Sequence, residues 1–382
     1  MANFWLKIRK FNPANSGPIL VLAPMAGVTD SAFRQICRES GADVVYTEMV
    51  SADGLFYNSK KTLEFLKFAK NERPIVIQLF GKHPEKFTKA AALCEQAGFD
   101  GIDINFGCPA KKVAGHGGGV TLMRDLEKCR QIIEATLAGT KLPVSVKLRS
   151  SINSSPLIRG RLGGGKNDNF TPPRPVLGSS QYAAGILADS RFARFCPSDY
   201  RPPYKGEGGG TTVTALDFIK YMKGLPIAAV MIHGRSYEKP FDGEIDYEMI
   251  KSVKNFLANS KTIVLGNGGI ETPQDAKIML EKTGCDGLGL ARGVCGKPWL
   301  FKQIKDYLET GKYNEIKISD LKKTILNHAQ LAFKSKGEHG IIELRKHLLW
   351  CISGLPGAKE MRKQLVVVEN LEDIKEFLKE LQ

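Results

Sequence analysis

Residues 101–109 read Gly-Ile-Asp-Ile-Asn-Phe-Gly-Cys-Pro, an apolar stretch that runs directly into a turn. On this turn, Cys108 stands between a glycine, which loosens the backbone, and a proline, which stiffens it. A thiol held just past the carboxyl end of a strand is placed for chemistry. The alternative is a small buried hydrophobe, as cysteines outside disulfides usually are. The stretch therefore predicts a strand with a candidate reactive residue at its end.

Seven more stretches rich in Val, Ile and Leu accompany this one along the chain. The eight predicted strands are Ile19–Ala23, Val44–Glu48, Ile75–Phe80, Gly101–Asn105, Val144–Arg149, Ala228–His233, Thr262–Asn267 and Gly287–Ala291. Apolar residues at spacings of three and four predict helices between them. These helices include Asp30–Ser40, Pro84–Ala97, Leu126–Ala138, Ala215–Met222, Tyr247–Leu257 and Pro273–Lys282. Eightfold strand-helix alternation predicts an α/β fold, a (β/α)8 TIM barrel. A doubly wound sheet is the alternative, but no Gly-x-Gly-x-x-Gly fingerprint follows the first strand.

Composition limits the class of protein. The chain has 382 residues, 42% of them hydrophobic, which is enough for a large core. No apolar run reaches the roughly 18 residues of a membrane span, and the N-terminal sequence lacks the features of a signal peptide, so we expect a cytoplasmic protein. The eight cysteines form no Cys-x-x-Cys pair, and we expect no metal site. The net charge of +15 indicates a polyanionic partner, with nucleic acid as the first candidate.

The carboxyl ends of the predicted strands carry the candidate functional residues, because a TIM barrel binds its ligands there. Gly268 and Gly269 allow backbone N–H groups to approach a phosphate, and Arg292 offers a forked cationic donor, although the glycines could simply form tight turns. Lys147 follows an apolar stretch and is expected to point towards an anionic ligand atom. His233 ends a strand and is interpreted as functional, with a satisfied core histidine as the alternative.

Together these segments resemble the tRNA-dihydrouridine synthases of bacterial type, flavoenzymes that reduce uridine in tRNA. The matching motifs are Leu22–Asp30, Glu48-Met49, Gln78–Gly81, Asp103–Pro109, Lys147–Arg149, His233–Arg235, Asn267–Ile270 and Ala291–Gly293. The resemblance implies FMN as cofactor and NADPH or NADH as reductant, with Cys108 as the proton donor. It implies that FMN is held by Pro24, Met25, Ala26, Gln78, Lys147, His233, Asn267, Gly268, Gly269, Ala291 and Arg292. Asn105 and Arg149 are expected to contact the flipped base of the substrate.

The chain is expected to divide into two domains. Residues 1–310 would form the FMN-binding barrel and residues 311–382 a small helical tRNA-binding domain, with helices at Ile318–Phe333 and Gly340–Ser353. Arg345 and Lys346 on the second of these helices are expected to contact tRNA, although a charged helical face is often only solvated. We expect a monomer.

An irregular insertion interrupts the family pattern at about 150–211. It carries ten Gly and seven Pro and has no convincing period. It leaves the predicted active-site face, so it could be neutral, contact RNA or block the site. Long surface loops cost little closure entropy, so we expect the fold to survive the insertion. Of the three outcomes for function, we favour the neutral one.

Two other functions are consistent with parts of the sequence. A flavin barrel could reduce a free pyrimidine or another small enone, but such a substrate would not need the basic helical tail. The chain could also be an inactive RNA-binding relative that lost its chemistry through the insertion. The intact Cys108, Lys147 and His233 argue against the second alternative.

Overall fold

Eight parallel strands close into a barrel at the centre of the protein. The computed structural model describes residues 3–10, 17–109, 118–153 and 212–381. The described residues contain ten strands, of which all but β6 and β7 belong to the barrel. They are β1 (Ile19–Leu22), β2 (Val44–Ser51), β3 (Ile75–Phe80), β4 (Gly101–Asn105), β5 (Val144–Arg149), β6 (Ser151–Asn153), β7 (Thr212–Thr214), β8 (Ala229–His233), β9 (Ile263–Asn267) and β10 (Gly287–Leu290). The barrel runs β1-β2-β3-β4-β5-β8-β9-β10, and β10 pairs again with β1. The predicted TIM barrel is confirmed.

Helices surround the barrel and continue after its last strand. They are α1 (Phe4–Lys10), α2 (Ser31–Glu39), α3 (Ala52–Phe56), α4 (Lys60–Leu63), α5 (Pro84–Gln96), α6 (Leu126–Ala138), α7 (Ala215–Tyr221), α8 (Tyr247–Phe256), α9 (Pro273–Thr283), α10 (Leu300–Thr310), α11 (Ile318–Lys336), α12 (Glu338–Cys351), α13 (Ala358–Leu365) and α14 (Leu371–Glu380). Their starts follow local capping. Asp30 accepts a hydrogen bond from the N–H of Phe33 at 2.9 Å, and Thr272 and Asp275 form a capping box in front of Pro273.

Helix α1 closes the amino-terminal end of the barrel. Trp5 is fully buried, and its ring centroid lies 6.5 Å from that of Tyr46 inside the barrel. Phe4 approaches Gly101 so closely that a Cβ on this glycine would lie 3.0 Å from the Phe4 ring. Trp5 shares one buried cluster with apolar residues of β1, β2, β3, β8 and β9. The sequence interpretation did not identify this helix.

The segment predicted as an insertion begins and ends in a two-stranded stem. Strand β6 pairs antiparallel with β7, in the register Ser151 with Thr214 and Asn153 with Thr212. Ile152 is fully buried, which ties the stem to the body of the protein. Regular structure therefore extends to Asn153, three residues past the boundary expected at about 150. The rest of the predicted insertion, 154–211, lies outside the described residues.

The C-terminal helices form their own buried cluster and contact the barrel through α2. Residues 1–153 and 212–382 group as one compact unit. Phe33 on α2 stacks on His328 of α11, with ring centroids 5.7 Å apart, and lies 4.7 Å from the ring of His347 of α12. Helix α11 ends three residues later than expected, at Lys336. The domain boundary at 310 stays a prediction. In the described part of the chain, no helix has the length and apolarity to cross a bilayer.

Candidate active site

A chain of buried polar side chains leads from the barrel interior to Cys108. Asp103 is fully buried on β4, and its carboxylate accepts a hydrogen bond from Gln78 Nε2 at 2.7 Å. Gln78 Oε1 in turn accepts from Asn105 Nδ2 at 2.9 Å. The Asn105 Oδ1 accepts from the N–H groups of Gly107 and Cys108, both at 2.9 Å. The strand end and the turn that follows it therefore form one connected unit.

The turn itself lies against β5. The Phe106 N–H donates to the carbonyl of Lys147 at 2.9 Å, and a Cβ on Gly107 would lie 3.2 Å from the backbone of Leu148. Glycine at 107 therefore lets the turn lie close to the backbone of β5, where a Cβ would require a small displacement. Cys108 is half-buried, so its thiol is neither sealed in the core nor fully exposed. This placement fits the predicted reactive residue at a strand end.

Lys147 brings a positive charge into the barrel mouth. Burial and the nearby positive charge of Arg149 lower its pKa to about 8, against the opposing effects of Asp103 and Cys108. Within the described residues its Nζ makes no hydrogen bond or ion pair. A half-buried ammonium without a direct partner is costly, and an anionic ligand would relieve that cost. The arrangement suits the predicted role of Lys147.

Arg149 is anchored by hydrogen bonds to backbone carbonyls of the protein. Its side chain is almost fully buried, and its Nε donates to the carbonyl of Gly107 at 2.9 Å. Its Nη1 donates to the carbonyl of Ser236 at 3.1 Å. These bonds join the Cys108 turn to the loop after β8. The expected contact between Arg149 and the substrate base stays a prediction, while the structure gives this side chain a clear part in holding the turn.

His233 lies at the centre of a group of cations. Burial lowers its pKa to about 2, and the charges of four neighbouring cations act in the same direction, so the imidazole is neutral. These cations are Lys147, Arg149, Arg235 and Arg292. A Cβ on Gly268 would lie 2.4 Å from the His233 ring, so only glycine fits beside it. The site therefore has a strong local excess of positive charge.

The turn after β9 has the backbone that a phosphate cradle needs. Gly268 and Gly269 have φ angles of 104° and 68°, which side chains with a Cβ rarely adopt. Asn267 is buried, and its Nδ2 donates to the carbonyl of Gly289 at 2.6 Å, which fixes β9 against β10. Ala291 is half-buried above the inner apolar cluster. Arg292 is exposed, and its Nη2 donates to the carbonyl of Phe241 at 3.2 Å.

Glu48 holds the turn after β1, a contact that the sequence does not predict. The register between β2 and β3 shifts between Tyr46 and Met49, and this bulge directs Glu48 towards the turn. Its carboxylate accepts a hydrogen bond from the N–H of Gly27. Burial raises the pKa of Glu48. Pro24 and Met25 on this turn are half-buried, and Ala26 is exposed. A bulge has no clear signature in a single sequence, so this contact was not predictable.

The two basic residues predicted to contact tRNA differ in their surroundings. Arg345 donates from Nε to the carbonyl of Val368 at 2.8 Å, which ties α12 to the segment before α14. Lys346 is half-buried on the same helix. Arg345 therefore has a structural contact within the protein, and the tRNA contacts of both residues stay predictions.

A flavin phosphate and ring system fit the donors in the barrel mouth. Positive φ angles at two successive glycines and the cations around His233 suit a phosphate, while the Lys147 ammonium suits the electron-rich edge of an isoalloxazine ring. The described residues contain no group of three His, Cys, Asp or Glu side chains arranged to hold a metal ion. The roles of the individual cofactor residues stay predictions.

Comparisons with known proteins found both structural neighbours and sequence relatives. Histamine dehydrogenase from Rhizobium sp. 4-9 superposes with a TM-score of 0.48 at 13% identity, over 84% of this chain and 50% of that chain. The chain is 32% identical over 347 residues to the tRNA-dihydrouridine synthase B of Pseudomonas aeruginosa, covering 90% of this chain and 87% of that protein. It is 31% identical over 364 residues to the probable tRNA-dihydrouridine synthase of Rickettsia conorii, covering 94% and 92%. The dihydrouridine synthase (Dus) family model matches residues 21–157 and 211–382, and its gap falls within the predicted insertion. The chain belongs to the dihydrouridine synthase family.

Proposed function

We propose that this protein reduces the C5–C6 double bond of uridine in tRNA to 5,6-dihydrouridine, with FMN as cofactor and NADPH as reductant. It is a dihydrouridine synthase and hence an oxidoreductase. The observation that carries the proposal is the meeting of two features in one barrel mouth. One is the Cys108 turn, and the other is the cation-rich cradle around His233.

The roles of the side chains follow from the chemistry. FMN, when bound, supplies the hydride that reduces C6 of the base. The Cys108 thiol holds the proton that C5 must receive, and its backbone is fixed by Asn105. Lys147 and Arg292 bind the anionic parts of the cofactor. Neutral His233 accepts or donates a hydrogen bond without adding charge to the site.

The tRNA partner is supported by charge and by the relatives. The chain carries a net charge of +15, and the matched synthase of Pseudomonas aeruginosa is named for tRNA. The C-terminal helices with Arg345 and Lys346 supply the proposed docking surface for the phosphate backbone. A tRNA substrate fits the cytoplasmic location expected from the sequence. A free pyrimidine would not need such a surface.

The test is dihydrouridine formation in unmodified tRNA by the purified protein, with FMN and NADPH, while the flavin spectrum is recorded on the same sample. We expect product in tRNA and none from free uridine or uracil. Reduction of the free base at a comparable rate would favour the small-molecule reductase. Bound flavin without any product would contradict the proposed substrate, and absence of flavin binding would contradict the flavoenzyme.

A further inference from the structure

We propose that Asp103 is a positioning residue for the Cys108 turn, and that it acts through the side-chain amides of Gln78 and Asn105. The proposal rests on the role given to Cys108 above, but its structural basis is independent of the substrate. Asp103 lies deep in the barrel, below the residues that face the mouth, and it is fully buried. Burial of a carboxylate is costly, so its presence here calls for a specific contribution.

The chemistry of the carboxylate gives the chain of amides a direction. An ionised Asp103 carboxylate has no proton to donate, so its Oδ2 acts only as an acceptor. Gln78 therefore presents its NH₂ group, and Nε2 lies 2.7 Å from Oδ2. Gln78 must then turn its carbonyl oxygen to Asn105, which presents its own NH₂ group at 2.9 Å. The Asn105 oxygen is thereby left facing the turn. One buried carboxylate thus decides the orientation of two amides.

The oxygen at the end of this chain holds the reactive turn. Asn105 Oδ1 accepts from the N–H of Gly107 and from the N–H of Cys108, both at 2.9 Å. If the Asn105 amide rotated by half a turn, its NH₂ group would face two donors and both bonds would be lost. The hydrogen bond between Asp103 and Gln78 therefore determines, through Asn105, whether the backbone of the turn is held.

A second bond holds Asp103 from the opposite side. Ser145 Oγ donates to Asp103 Oδ1 at 2.7 Å. This bond anchors the carboxylate but does not belong to the path that leads to Cys108. Removing the Ser145 hydroxyl therefore gives a matched control, since it deletes one hydrogen bond to the same carboxylate and leaves the two amides in place.

The experiment measures amide hydrogen exchange at Gly107 and Cys108 in the full-length protein, by mass spectrometry or NMR. In Asp103→Leu we expect protection of these two amides to fall at least tenfold, while Ser145→Ala keeps it within about twofold of the native protein. Asp103→Asn is the conservative rescue. Its oxygen can accept from Gln78 and its NH₂ group can donate to Ser145, so we expect protection to return. Native protection in Asp103→Leu would overturn the proposal.

A second variant keeps the test decisive if Asp103→Leu does not fold. Gln78→Met breaks the chain one step later, and we expect the same loss of protection at Gly107 and Cys108. Unchanged protection in this variant would also overturn the proposal. Because exchange is measured without tRNA or NADPH, its outcome is separate from that of the proposed function. A functional readout accompanies it. We expect Asp103→Leu to slow single-turnover reduction of tRNA at least tenfold and Asp103→Asn to restore it.

Discussion

The two ends of the same barrel are filled by opposite kinds of side chain. At the amino-terminal end, Trp5 packs in a dry cluster with the first residues of the strands, such as Ile19, Val44 and Ile263. At the carboxyl end, the buried layer is polar and includes Gln78, and each amide or carboxylate there has a defined partner. Apolar burial stabilises the fold, whereas polar burial costs free energy unless every group is paired. One end therefore contributes stability, and the other carries the paired polar groups where we propose the chemistry.

The largest effect is expected from removal of the thiol at the polar end. Cys108→Ala should slow dihydrouridine formation by about 10²–10⁴-fold, the usual contribution of a positioned proton donor. Unfolding free energy and reduction of bound flavin by NADPH should stay unchanged. The control is Cys94→Ala on α5, a fully buried cysteine away from the barrel mouth. Full product formation by Cys108→Ala would show that the proton comes from elsewhere.

The next effect falls on stability rather than on chemistry. Trp5→Ala should cost about 3–5 kcal/mol of unfolding free energy, because it leaves a large cavity at the dry end. The single-turnover rate should be preserved at temperatures where the variant is folded. Lys7→Ala on the exposed face of the same helix is the control, expected to change stability by about 0.5 kcal/mol or less. Denaturant unfolding measures the unfolding free energy of both variants. Equal losses in Trp5→Ala and Lys7→Ala would show that the burial of Trp5 does not stabilise the barrel.

A pH dependence should follow from Lys147. Its pKa is lowered to about 8, so the ammonium loses its charge as pH rises through that value. An anionic ligand binds the charged form better, so flavin affinity should fall above about pH 8, by at most about tenfold per pH unit. Fluorescence titration between pH 6.5 and 9.5 measures this. Lys147→Met should bind flavin more weakly at neutral pH, and its flavin affinity should no longer fall above about pH 8. If the affinity still falls with pH in this variant, the titrating group is not Lys147.

The smallest effect is expected from removal of 154–211. Joining Asn153 to Thr212 through a two-residue turn keeps the β6–β7 stem and should change stability by about 1 kcal/mol or less. Flavin affinity should be unchanged, since all eight barrel strands and the residues proposed to hold the flavin are retained. A Gly/Ser segment of the same length separates the effect of length from that of composition. If both the deletion and the Gly/Ser replacement failed to fold, the native sequence of 154–211 would be needed for folding.

The sequence predicted the framework of the site because strand ends in a barrel have fixed positions. The bounds of β3, β4 and β5 were predicted to the residue, and those of the other barrel strands to within three. The positive φ angles at Gly268 and Gly269 agree with a glycine-rich cradle. In these places the pattern of residue types and the local conformation are tightly linked.

The contacts of the polar side chains were not predictable. The substrate contacts of Asn105 and Arg149 stay predictions, and the structure adds bonds that the sequence did not predict, from the Cys108 turn to Asn105 and from Arg149 to the carbonyl of Gly107. A strand-end position fixes where a side chain starts, but the nearest partners come from segments that are distant in sequence. Glu48 likewise bonds to Gly27, a residue distant in sequence, and the bulge beside it forms only in the pairing of β2 with β3. Tertiary packing decides these cases.

The closure of the barrel by α1 has a consequence for the order of synthesis. Trp5 is synthesised 260 residues before Leu265 of β9, which belongs to the same buried cluster. At about 5–20 residues per second, roughly 10–50 s separate the two. During that time a tryptophan and the neighbouring Phe4 have no complete binding site. Completion of this cluster therefore has to wait for β9, however early the helix itself forms.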